Sequence, residues 1–72
     1  MRRSPVYRAV MLLRRAVRLH GVTTWHLERS HSAGVEWACL ALKPGDRAVW
    51  HYHTSPEVAA RRAIAGAIRG AT

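Results

Sequence analysis

The sequence predicts an α+β domain of order α-β-β-β-α, a three-stranded antiparallel sheet with two helices packed on one face. Three observations carry this expectation. Ser4-Pro5 and Ser55-Pro56 each precede an apolar pattern of helical spacing. Three segments rich in β-branched and aromatic residues lie between them. A Lys43-Pro44-Gly45-Asp46 turn separates the last two of those segments. A chain of 72 residues fits one small basic domain, 1–72, with a thin core that partner binding or self-association would relieve.

The first helix is expected over 5–20. Ser4 supplies an N-cap and Pro5 the first helical position. Val6, Val10, Leu13, Val17 and His20 recur on one side, and Arg8, Arg15 and Arg18 fall on another, with Arg14 nearby. Gly21 then suits a left-handed cap. The segment is Arg-rich and acid-free, as transit peptides and membrane-surface helices are. Removing it would strip the sheet of a cover, so it is read as part of the fold.

Strands are expected over 22–29 and 35–42, and over 47–53 after a type II turn at 43–46. Alternation gives each strand two faces. Trp25, Leu27, Leu40, Leu42, Trp50 and Tyr52 are assigned to the helix side. His26, Glu28, Trp37, Cys39, Val49, His51 and His53 are assigned to the opposite side. A register error of one residue would reverse such an assignment. The second helix starts at Ser55-Pro56-Glu57, with an acid suited to the helix dipole. Val58, Ala60, Ile64, Ala67 and Ile68 form its apolar side, and Gly70 can end it.

Charge is the strongest global fact. Twelve Lys and Arg stand against four Asp and Glu, for a net +8, and no acid precedes Glu28. Such a surplus attracts polyanions. Nucleic acid, RNA before DNA, is the expected partner, with an acidic protein surface as the alternative. Cys39 is the only cysteine, so no internal disulfide can form, and a reducing cytoplasmic setting is expected. No apolar run approaches the ~20 residues of a membrane span.

Four constellations carry chemistry. His51 and His53, about 6.6 Å apart along a strand, could join His26 or Cys39 around zinc. No paired-Cys motif accompanies them, so they are read as strand-face residues, and no metal or other cofactor is expected. His31 lies in the polar turn Glu28–Gly34 beside Arg29. It could move a proton at a ribose 2′-hydroxyl or a leaving oxygen while Arg29 holds phosphate charge. Arg29, Lys43, Arg47, Arg61 and Arg62 are the expected phosphate contacts. Trp37, Val49, His51 and His53 make up an expected protein-contact face, through which the chain could also form a homodimer.

The order α-β-β-β-α resembles that of the double-stranded RNA-binding domain. Ser55 opening the last helix, with Ala59, Ala63 and Ala67 recurring, is similar to that family's second helix. Pro56 and Glu57 stand where the family has a Lys pair. The chain is also similar to the HicA-type mRNA-interferase toxins, which share that fold. Gly21 closes the helix, Ser30-His31 follows at the family's spacing, and Lys43-Pro44-Gly45-Asp46-Arg47 looks like its later turn. Arg29 replaces that family's Gly before Ser-His. This resemblance implies an endoribonuclease with His31 as the catalytic histidine. The expected function is therefore RNA binding, including toxin-type cleavage. The alternative is a non-enzymatic interaction protein of phage or host-modulating type.

Overall fold

A computed structural model describes residues 4–31, 34 and 36–69. Its elements are α1 (Pro5–His20), β1 (Thr24–Arg29), β2 (Trp37–Leu42), β3 (His51–His53) and α2 (Pro56–Arg69). The expected helix–three strands–helix order is present. The strands form one antiparallel sheet in the order β1-β2-β3. The expected starts of all three strands are too early, because residues 22–23, 36 and 47–50 are not in strands. Residue 35, and Gly70 as the end of α2, lie outside the described residues.

Local chemistry sets the ends of the elements. The Ser4 hydroxyl accepts from the Tyr7 N–H at 3.1 Å, which satisfies one of the free donors of the first turn. Gly21 has φ 74° and its N–H donates to the Ala16 carbonyl, ending α1 in the left-handed region that glycine adopts without a Cβ clash. In the β2–β3 turn Gly45 has φ 86°. The Asp46 N–H donates to the Lys43 carbonyl at 3.0 Å, and the Asp46 carboxylate accepts from the Lys43 N–H at 2.9 Å. At the start of α2 the Ser55 hydroxyl accepts from the Val58 N–H at 3.3 Å.

The two helices lie side by side over one face of the sheet and run the same way. Arg8 of α1 meets Glu57 of α2 at their N-terminal ends, and Leu12, Ala16 and Leu19 flank Ile64 further along. The core between the layers is built of small side chains. Ala9, Ala16, Ala59, Ala60 and Ala63 are at most 1% exposed, and the largest fully buried side chains are Leu13, Val22 and Cys39. Alanine along a helix lets it approach its neighbours closely, and the layers then interlock at high density. In α1 the buried stripe is therefore Ala9–Leu13–Ala16, which corrects the expected Val6–Val10–Leu13–Val17–His20 side. Val6 and Val17 are exposed.

The sheet faces need a larger correction. Trp25 pairs with Ala41, Leu27 with Cys39, and Cys39 with His51. Trp25 and Leu27 face the helices as expected, but Trp37, Cys39 and Ala41 join them from β2, with Val49, His51 and His53 from the third strand and its approach. Leu40, Leu42, Trp50 and Tyr52 fall on the open face. The reason is volume. α2 crosses β2 where only Cys39 and Ala41 leave room beneath its alanines, and a pair of leucines there would hold the layers apart. Leu40 is still covered, because His26 and Trp50 meet over its row as an edge-to-face pair with ring centroids 5.6 Å apart.

Two stability outcomes follow from this packing. Ala63→Leu should cost about 1–3 kcal/mol by overpacking, and more than Leu42→Ala on the half-buried open side. Urea midpoints compare the two, and a larger loss for Leu42→Ala would contradict the assignment of the faces. Ser4→Ala should cost about 1 kcal/mol through the lost cap.

Candidate functional site

The basic side chains gather in three places. At one end of the sheet, Arg29 closes β1 with its guanidinium carbon 5.2 Å from the Trp37 ring centroid. This is a cation–π contact that holds the charge in place. His31 is exposed just beyond it, where the Ser30 N–H donates to the Glu36 carbonyl at 2.7 Å and ties the two strand ends together. Arg29 and His31 thus share one end of the molecule, as the sequence spacing expects.

Lys43 and Arg47 lie at the opposite end, about 20 Å away along a six-residue strand. The Lys43 stem runs toward the Gly21 cap of α1. Arg47 turns toward α2 and lines a concavity of about 170 Å³ with Val49, His51, Gly66 and Arg69. Its floor is Ala41, Ala63 and Ala67, and Asp46 forms part of the rim. Arg62 acts on His51 electrostatically together with Arg69. Sequence reasoning missed Arg69 and Gly66. The spacing 62–66–69 places Arg62, Gly66 and Arg69 on one stripe of a helix, which was the available signal. Arg69 also stands in the last turn of α2, where a cation offsets the negative end of the helix dipole.

Arg61 points elsewhere. It pairs with Glu57 at 3.2 Å, and Glu57 also accepts from Arg8 at 2.8 Å. These charges sit in a groove between the helices lined by Tyr7, Met11, Leu12 and Arg15. The adjacent arginines Arg61 and Arg62 therefore serve different sides of α2, about 100° apart around its axis. Two hydrogen bonds to the Glu57 carboxylate hold it below the usual carboxylate range.

The histidines of β3 have separate environments. His53 Nδ1 accepts from the Ser55 N–H at 3.0 Å and fixes the turn into α2. His51 packs against α2, where a Cβ built on Gly66 would lie 3.4 Å from its Nε2. Burial, then the positive charge of Arg62 and Arg69, pushes the His51 imidazole below its ordinary value of 6.5. Cys39, sealed between the layers, has its thiol pushed up to about 11 by burial. Among the described residues, no three His, Cys, Asp or Glu side chains converge as a metal site would require. Among them also, no helix is long and apolar enough to cross a membrane.

No family model matches the chain, and no curated protein or solved structure matches it either.

The His51 environment has a pH signature. Its folded-state value lies below the unfolded one, so on acidification the unfolded chain takes up the proton first. Stability should therefore fall as pH drops below about 6.5 and level off once folded His51 also protonates. Glu57 acts in the same direction, but only as pH falls below about 4.5. Urea unfolding at about pH 7.5 and about pH 5.5 should show a loss that His51→Gln reduces. An unchanged loss in the variant would place its source elsewhere.

Proposed function

We propose that the domain binds nucleic acid, RNA before DNA, along the side where β3 meets α2. The observation that carries this reading is the gathering of Arg47, Arg62 and Arg69 around His51, in a chain of net charge +8. The one acid on that rim, Asp46, already has an oxygen committed to its own turn. Three guanidinium groups with so little local neutralisation suit phosphates, which arginine forks match in shape. Arg29 and Lys43 extend the positive surface toward both ends of the sheet. Arg61 contributes less, because Glu57 offsets it.

RNA is favoured by Arg29 and His31, an anchored cation beside an exposed imidazole. Toxin-type cleavage belongs to this reading. His31 would relay the proton of a 2′-hydroxyl or a leaving oxygen, and Arg29 would hold the phosphate charge.

A second reading rests on a different surface. Tyr7 and Met11 are 40–41% exposed on α1, among Arg15, Arg18 and the Glu57–Arg61 pair. An acidic protein segment with apolar anchors suits that groove.

A labelled RNA run on native and denaturing gels at low and high salt tests the proposal. The expected result is a shift that weakens steeply with salt. Arg62→Ala and Arg69→Ala should each lower the salt slope by about 0.7–0.9, the share of one phosphate contact. Arg61→Ala should change it less. Cleavage that disappears in His31→Ala would assign a ribonuclease. An absent shift at low salt would remove the nucleic-acid reading and leave the protein-docking one.

A further inference from the structure

The concavity beside His51 has a shape that a general attraction for polyanions does not require. α2 bounds one side through Gly66 and Arg69, and the His51 strand bounds another. The β2–β3 segment closes a third through Asp46, Arg47 and Val49. Its volume of about 170 Å³ is below the ~300–1,000 Å³ of pockets that take drug-sized ligands. The floor is Ala41, Ala63 and Ala67, side chains with no donor or acceptor to read a base. The polar groups are the Arg47 and Arg69 guanidiniums and the Asp46 carboxylate at the rim, with one imidazole. Gly66 leaves the space beside that imidazole open, where an added Cβ would come into van der Waals contact with its Nε2 edge at 3.4 Å.

We infer that this concavity seats a terminal phosphate of an RNA strand, held by Arg47 and Arg69 with His51 as a hydrogen-bonding partner and Arg62 adding positive field. The inference rests on the nucleic-acid reading above and specifies the group that this surface takes. A phosphomonoester carries about −1.5 to −2 charge at neutral pH, more than an internal diester, and three nearby guanidiniums reward the difference. A monoester also has a single attachment, so it can enter a site closed on three sides. An internal diester carries a nucleoside on each side and needs two exits. Asp46 opposes an anion on the rim, which favours the group able to recruit both Arg47 and Arg69.

The test uses three RNAs of one sequence, with a 5′-phosphate, a 3′-phosphate, or hydroxyls at both ends. Binding is read by fluorescence anisotropy at low salt. In parallel, inorganic phosphate is titrated while the His51 ring resonances are followed by NMR. One phosphorylated RNA should bind at least about ten-fold more tightly than the hydroxyl-ended strand, a difference within reach of one charge-assisted contact. Which end is preferred identifies the source of the phosphate. Arg69→Gln and Gly66→Ala should each abolish the preference. Gly66→Ala favours the helix, so loss of folding does not explain its effect, and circular dichroism verifies this. Equal binding of all three RNAs would overturn the phosphate seat and leave general RNA binding standing. Binding of none of them, with His51 still shifted by phosphate, would overturn the RNA assignment. A His51 ring that phosphate leaves unmoved would overturn the seat itself.

Discussion

The close approach of α2 to both the sheet and α1 is the constraint on which the rest depends. Ala59, Ala60, Ala63 and Ala67 let the helix settle into the angle between its neighbours. That depth decides which residues of β2 can lie beneath it, and so which face every paired residue presents. It also decides that large apolar side chains work at the margins. Trp25, Leu27, Trp37 and Ile64 pack around the alanine centre without filling it. A domain of this size gains modest burial from such a core, so caps, turns and charge pairs contribute a larger share of its net stability.

Much of the fold was legible because it is written in local chemistry. Ser4-Pro5, Gly21, Pro44-Gly45 and Ser55-Pro56 act over a few residues, and each marks a real boundary. The β1 faces were legible because Trp25 and Leu27 alternate with His26 and Glu28. β2 was not, because Trp37–Leu42 is apolar at every position and alternation carries no signal there. Ranking by hydrophobicity selects Leu40 and Leu42 for the core, whereas the space available selects Cys39 and Ala41. That choice propagates through pairing and inverts His51 and His53 as well.

The charged residues divide for the same geometric reason. Consecutive helical positions point about 100° apart, so Arg61 reaches Glu57 and α1 while Arg62 reaches the sheet side. Counting bases along the chain finds the positive surplus but not its partition. Glu57 holds Arg8 across the two helices and Arg61 one turn along its own helix, and the surface facing away keeps its charge. The candidate site was legible as composition and became a place only when Arg47, remote in sequence, was brought beside Arg69.

Cys39 gives this architecture a built-in gauge. The thiol is fully covered by the helix layer and held in its protonated, unreactive form. It meets a solvent-borne alkylating reagent only in molecules whose helices have lifted from the sheet. The slow labelling of one sulfur in the unmodified chain therefore meters how often the two layers part, a local opening measured separately from global unfolding.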